Sequence, residues 1–391
     1  MYNLYLILIV IFAIAPIFLL GKSCVNKQIF IAGYLYLTLK PLSFIIIPFL
    51  LNESLQADYL NAYLRLHFLY YVLLTLMIWL MSRYIRVHGR KVDKVKIEIN
   101  DFRYIFIGVL IVSFLVLVIT SGGTFLTDPR YAYQHHRSGV GLFWILLISF
   151  SGILFVHYSH KGDRLKYSVV FLFALLAAMS GSKHVLVVYF LCVFFVLTTR
   201  GIRISMSYYL IGGSSLILLL LLNFGQLGAD ENFLLRVGRY YNALDLAKLV
   251  FQDYESGQLE FKYGEIFTSS FWSYVPRGLY PEKPFAYGPI LVLEDYFPGM
   301  AATGHTPSFG PLTTDFVDFW YFAPLVNILT ELKVSIYLFG LLTLSYGKFL
   351  SKSLFVMASF VVLAPAFGFH MPLIIFLLLI VLLSKVSRVT E

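Results

Sequence analysis

What most constrains this chain is the recurrence of apolar runs about as long as a bilayer is thick. The first, "YNLYLILIVIFAIAPIFLL" at residues 2–20, contains no charged residue. A helix of roughly 20 such residues crosses the hydrocarbon core, and in lipid only a helix or a closed barrel satisfies every backbone group. The runs are continuous rather than alternating, so they predict helices and not barrel strands. Apolar runs place eleven spans near 2–20, 29–51, 66–82, 104–121, 140–158, 167–181, 184–199, 207–224, 332–347, 354–369 and 371–384. Composition agrees, since only 13% of the residues are charged and 59% are hydrophobic, against about 25% charged in a soluble domain. The expected fold class is an all-α polytopic membrane protein of about 11 transmembrane helices. Three parts follow: residues 1–224 with helices 1–8, one long loop at 225–331, and C-terminal helices at 332–391. The N-terminal run lacks a basic leader and a small-residue cleavage site, which favours a retained span over a signal peptide.

Basic residues set the orientation. Alternating sides from residue 1 groups the connections 21–28, 83–103, 159–166, 200–206, 348–353 and the C-terminal tail. They include "SRYIRVHGRKVDKVK" and "HKGDRLK", and hold 18 of the 30 Lys and Arg residues. The positive-inside rule makes this side cytoplasmic, with the N-terminus outside and the C-terminus inside. The formal charge of +9 is largely accounted for in this way. No basic patch on a soluble domain suggests nucleic-acid binding. Cys24 and Cys192 sit in or beside predicted spans, which offers neither a disulfide framework nor a metal-type spacing.

The opposite side then carries a loop near 52–65, another near 121–139, the tight turn "SGSKH", and the long segment 225–331. A connection of that length is far beyond the usual handful of residues and is typically functional. Within it, "ENFLLRVGRYYNALDLAKLVF" reads as an amphipathic helix, with Phe233, Val237, Tyr241, Leu244 and Phe251 at steps of three and four. "PRGLYPEKPFAYGP" reads as a fixed loop, because proline removes donors and restricts its predecessor. "DFVDFWYFAPLVNIL" is aromatic and either lies flat at the membrane interface or re-enters the bilayer, interrupted at Pro324.

Cations on the outer side are unusual, because the orientation rule depletes them there. They are Arg130 and Arg137 in "TDPRYAYQHHRSGVG", Lys183 in "SGSKH", and Arg236, Arg239, Arg277 and Lys283 in the long segment. A guanidinium presents a planar fork that matches phosphate oxygens. Several converging on one cavity would bind a di-anion; the competing reading is that a long loop escapes the charge rule and its cations are merely solvated. Proline on both flanks favours a positioned Arg277. Lys183 breaks two apolar runs and is either functional or snorkels to the surface. Lys40 lies deeper in its span and either faces a cavity or reaches the interface through a kink at Pro41. His305, in "ATGHTPS", is either a proton acceptor for a hydroxyl or a plain loop residue. Asp315 and Asp318 are alternative bases at a spacing of three, or carboxylates favoured near a helix N-terminus. No DxD or His-x-x-Glu pattern supports a metal-dependent mechanism, and no cofactor is expected.

Together, "YGEIFTSSFWSYVPRGLYPEKPFAYGP" and "HTPSFGPLTTDF" resemble the bacterial O-antigen or oligosaccharide repeat-unit polymerases (Wzy-type). The likeness extends to the many spans, the single long periplasmic loop, the Arg- and Gly-bearing loop "DPRYAYQHHRSGVG" and the "SGSK" turn. In one departure, Pro311 stands where the family pattern has a glutamate after Pro-Ser-Gly, leaving Asp315 as the candidate stand-in. The resemblance implies a GT-C-like, metal-independent glycosyltransferase in the bacterial inner membrane. Its donor and acceptor would both be undecaprenyl-pyrophosphate-linked oligosaccharides, with a chain-length regulator and a flippase as further partners. It implies that Arg277, Lys283, Arg239 and Arg130 neutralise the departing pyrophosphate, and that His305 or Asp315 activates the acceptor hydroxyl. Trp272, Tyr274, Tyr280 and Tyr287 would stack on sugar rings or belong to an interfacial aromatic belt. The rival readings are an O-antigen ligase, a lipid-linked oligosaccharide flippase or transporter, and a membrane acyltransferase using His184 or His370.

Overall fold

The computed structural model describes residues 2–21, 59–88, 103–124, 244–275, 280–302, 309–330 and 332–347, together with scattered positions between 24 and 38, between 143 and 158, and at 193. Among these residues the secondary structure is helical throughout, without a strand. By contacts the chain falls into two units: Met1–Val87 with Phe224–Leu338, and His88–Asn223 with Phe339–Glu391.

In the first unit, α1 (Tyr2–Leu19) and α2 (Tyr59–His88) are both long and apolar. Along α2, Leu60, Leu64, His67, Tyr71, Leu74, Ile78, Ser82 and Ile85 are buried. Those steps of three and four trace one face of a 3.6-residue helix. Phe68 takes ring contacts from Tyr5 and Phe12 at 5.9 and 5.7 Å. The Thr75 hydroxyl donates to the Phe12 carbonyl of α1 at 2.8 Å. The opposite side of α1 presents Leu4, Ile7, Ile11, Ile14 and Phe18, all exposed. A soluble helix would be polar there; one that is apolar on both faces has the character of a membrane span.

The second unit contains α3 (Arg103–Ser121), with the same outward apolar character: Ile105, Ile111, Val112, Leu115 and Ile119 are exposed. Phe106 packs on Phe150 at 5.1 Å. By length and composition, α2 and Tyr104–Ser121 of α3 can cross a membrane. The remainder of the eleven-span expectation lies largely outside the described residues.

Returning to the first unit, the segment 244–330 is built differently, from short helices joined by fixed loops. They are α4 (Leu244–Glu255), α5 (Glu265–Ser269) running into a 3-10 turn (Ser270–Tyr274), α6 (Ile290–Tyr296), α7 (Pro311–Phe319), a 3-10 turn (Trp320–Phe322) and α8 (Ala323–Thr330). After it comes α9 (Leu332–Ser345). The amphipathic helix expected near 231–251 is present from Leu244 onward and continues to Glu255, with Ala247, Val250 and Phe251 buried; Phe233, Val237 and Tyr241 lie outside the described residues. Gly257, at φ +72°, stops α4, letting Gln258 N–H reach back to Asp253 O at 2.8 Å and Gly257 N–H to Tyr254 O at 3.1 Å. That pair of bonds is the Schellman ending, which needs a left-handed residue.

The centre of this segment is Phe316, fully buried on α7. Phe251, Tyr254, Phe261 and Tyr321 surround it, with ring centroids 4.9 to 5.8 Å away. Phe251 also meets Tyr63 at 5.5 Å, which ties the segment to the N-terminal end of α2. Pro324 does not interrupt a helix. It is the second residue of α8, where its missing N–H has no partner to lose.

Candidate functional site

The loop that drew notice in the sequence is irregular where described, at 280–289. A buried lysine is its central brace. Lys283 is 92% withdrawn from solvent, with only 8% of its surface exposed. Its Nζ donates to the Val275 carbonyl at 3.0 Å and lies 4.4 Å from the Tyr287 ring centroid. A buried ammonium needs such partners, because leaving water uncompensated is costly. The Lys283 N–H also donates to Tyr280 O at 3.1 Å, closing a turn. Lys283 therefore fastens the residue before "PRGLY" to the residues after it. Tyr280, in the same turn, is stacked on Trp272 with centroids 5.3 Å apart and planes inclined by 26°.

Just beyond the turn, the Gly288 N–H donates to Ser269 Oγ at 2.9 Å. Gly288 takes φ +56°, and a Cβ there would stand 2.7 Å from Ser270 Oγ. Only glycine meets both demands at this position.

The two aspartates of "TTDFVDF" have different fates. Asp318 is buried, with 1% of its surface exposed. Its Oδ1 accepts from Gly264 and Ile266 N–H at 2.8 and 3.1 Å, and Oδ2 from Phe267 N–H at 2.9 Å. These are the amides at the start of α5 and have no partner within that helix. Asp318 is thus a long-range cap, which answers in favour of the structural reading for this residue. Asp315 is half-buried, and its Oδ2 accepts from Asn327 Nδ2 of α8 at 2.7 Å. Asn327 is itself buried, so the Asp315 carboxylate is oriented while partly open to solvent.

Other polar groups of the segment hold its shape. Lys262 pairs with Asp295 at 3.0 Å, and its N–H donates to Val317 O at 2.9 Å. Glu294 accepts from the N–H groups of Gly299 and Ala301, fixing the turn after α6. The Tyr296 hydroxyl donates to Asp253 Oδ2 at 2.8 Å. Burial, reinforced by that bond, pushes the Tyr296 phenol above its usual range. Burial and the neighbouring Tyr254 push the Tyr321 phenol up to about 12. The Tyr296 phenol thus serves as a donor to Asp253.

Of the site residues read from the sequence, Lys283 and Tyr280 share the loop and Asp315 sits on α7. Arg277, His305, Arg130, Arg137, Lys183, Arg236 and Arg239 lie outside the described residues. Sequence reading missed the Lys283 brace and the helix that Asp318 caps. Their partners are remote or backbone atoms, which leave no pattern in a sequence. A separate open hollow of 380 Å³ is lined by Trp79, Arg83, Arg86 and Val87. It belongs to the arginine-rich end of α2, the end expected at the cytoplasmic surface, with Arg83 over the Trp79 ring at 5.6 Å. That is a snorkelling geometry, remote in sequence from every candidate site residue.

Among the described residues the chain is helical, two helices are long and apolar enough to cross a membrane, and a loop at 280–289 is braced by Lys283; these features are consistent with an all-α membrane protein. Two curated proteins named O-antigen polymerase, from Salmonella typhimurium and Salmonella typhi, are each 23% identical to this chain over 235 residues. The match covers 58% of this chain and 56% of each relative, so the chain spans little more than half the length of the curated relatives it matches. The resemblance read from the motifs is borne out at this level: the chain is similar to O-antigen polymerases. No family model matches it, and no solved structure does.

Proposed function

We propose that this protein is a surface-polysaccharide polymerase of the inner membrane. It transfers a glycan from undecaprenyl pyrophosphate to the non-reducing-end sugar of a second lipid-linked repeat unit, at the periplasmic face. The similarity to O-antigen polymerases over 235 residues carries this reading, and the physical chemistry of the segment 244–330 supports it. In the reaction, the acceptor hydroxyl attacks the anomeric carbon of the donor, the bond from that carbon to the pyrophosphate oxygen breaks, and the hydroxyl proton passes to a base. Negative charge grows on the leaving pyrophosphate and needs cations placed in advance. Arg277 is the group that meets the pyrophosphate, with Arg130, Arg137, Lys183, Arg236 and Arg239 as further outer-face cations. Lys283 acts as a brace: its ammonium is taken up by Val275 O and the Tyr287 ring, which links the residue before 276–279 to the turn after them. Asp315, oriented by Asn327, and His305 are the two candidate bases. Asp318 is engaged by three amides and is not a candidate.

The aromatic surface suits an interfacial position. Tyr263, Phe267 and Phe271 recur at steps of four and are exposed, as are Trp320, Phe322, Leu325 and Leu329. Phe267 touches Phe319 at 6.2 Å, so the two stripes adjoin. Such a surface settles at the headgroup level, where the head of a lipid-linked substrate also lies.

The test is the Arg277→Ala variant in the native host lacking its own copy of the gene. The lipopolysaccharide ladder is expected to collapse to core capped by single repeat units, with normal amounts of the protein in the membrane. A normal ladder would overturn the role of Arg277. Loss of all capped core in the deletion strain would indicate a ligase instead.

A further inference from the structure

Four residues around the Pro-Arg loop form a closed circuit. Val275 N–H donates to Trp272 O at 3.2 Å, and Val275 O accepts from Lys283 Nζ at 3.0 Å. Lys283 N–H donates to Tyr280 O at 3.1 Å, and the Tyr280 ring stacks on Trp272 at 5.3 Å. Three hydrogen bonds and one ring contact thus fix two aromatic side chains that are eight residues apart in the chain. Trp272 is anchored by the 3-10 turn that ends at Tyr274, and Tyr280 by the turn that Lys283 closes.

Tyr280 nevertheless keeps 45% of its surface open to solvent. Burying two stacked rings is favourable on apolar area alone. Leaving nearly half of one uncovered, while bracing its backbone with a buried ammonium, is the arrangement of a binding surface rather than of a core. A rigid ring held in place loses little conformational entropy when a ligand covers it. The ligand chemistry that fits a flat, apolar, exposed ring with the exposed Glu282 in the same turn is a pyranose. One face of that sugar carries C–H groups and packs on an aromatic plane, while its hydroxyls stay in water.

We propose that the Trp272–Tyr280 pair is a preformed sugar platform that takes the C–H face of a hexopyranose of the glycan substrate, and that Lys283 is its positioning residue. The proposal rests on the polymerase reading only for the identity of that glycan. It differs from simple interfacial anchoring, in which Tyr280 would contact lipid and leave soluble sugar unbound.

The experiment uses the full chain in nanodiscs and, as probe, oligosaccharides released from the host strain's surface polysaccharide by partial acid hydrolysis, which carry no pyrophosphate. Saturation-transfer NMR reads both affinity and the contacted protons. The wild-type protein is expected to saturate C–H protons on one face of a pyranose ring. Tyr280→Ala should weaken binding roughly tenfold, an effect typical of one lost aromatic contact. Tyr280→Phe should bind about as well as wild type, because the ring and not the hydroxyl makes the contact. Undiminished binding by Tyr280→Ala, or an equal loss in Tyr280→Phe, would overturn the platform. The probe carries no pyrophosphate and the readout is binding, whereas the polymerase reading is tested on the lipopolysaccharide ladder, so a failed polymerase assignment and a failed platform give different results.

Discussion

The α1–α2 pair and the segment 244–330 belong to the same compact unit, yet they are held by different forces. Between α1 and α2 the contacts are rings and aliphatic side chains, with the Thr75 hydroxyl on Phe12 O as a polar addition. In the segment, side chains clamp backbone: Asp318 on three amides of α5, Glu294 on the turn at 299–301, Ser269 on Gly288, and Lys283 on Val275. A long helix satisfies its own N–H and C=O groups, so its side chains are left to pack. Short helices and fixed loops leave many such groups over, and polar side chains must take them. The lesson bears on function. A charged residue in this segment is not on that account a substrate ligand, since several of them turn out to be braces.

The contrast can be broken by measurement, and the largest effect is expected at Asp318. Asp318→Ala would leave three α5 amides without their acceptor, a loss of about 3–5 kcal/mol. Thermal unfolding in detergent should show it, and limited proteolysis should place the new cuts within 244–330. Asp318→Asn keeps one carbonyl acceptor and should fall between that variant and wild type. A change at Gly288 comes next. Gly288→Ala puts a Cβ 2.7 Å from Ser270 Oγ on a backbone at φ +56°, which predicts a loss of about 1–3 kcal/mol on the same thermal assay. Thr75→Val should matter least. Removing one hydroxyl-to-carbonyl bond between apolar helices is worth about 0.6 kcal/mol, and the protease pattern should not change. If Thr75→Val cost as much as Asp318→Ala, the two regions would be held alike and the contrast would fail.

Much of the local structure could be read in advance. The apolar runs at 2–20, 66–82 and 104–121 fall within α1, α2 and α3 but for a residue at one end, because the helix is the one open-ended structure that solves the backbone problem in lipid. The burial of Phe251 followed from its period, and the irregular loop at 280–289 followed from its prolines. Pro324 was legible as a discontinuity, and the stretch does change there: α7 ends at Phe319, a 3-10 turn follows, and Pro324 is the second residue of α8. For Asp315 and Asp318, spacing alone allowed either a base or a cap. The fold engaged Asp318 as a cap for α5 and left Asp315 half-exposed against Asn327.

What the chain determined unaided is what depends on short-range sterics and on hydropathy summed along a helix. The spans, the stops at glycine and the stiffness of the proline loop all belong to that class. Tertiary structure decided which polar groups are taken and by whom. Asp318 reaches amides more than fifty positions away, and Lys283 finds the Val275 carbonyl only because the fold brings the two together. A side chain's type fixes how many hydrogen bonds it can make; its partners are whatever the rest of the fold leaves unsatisfied within reach.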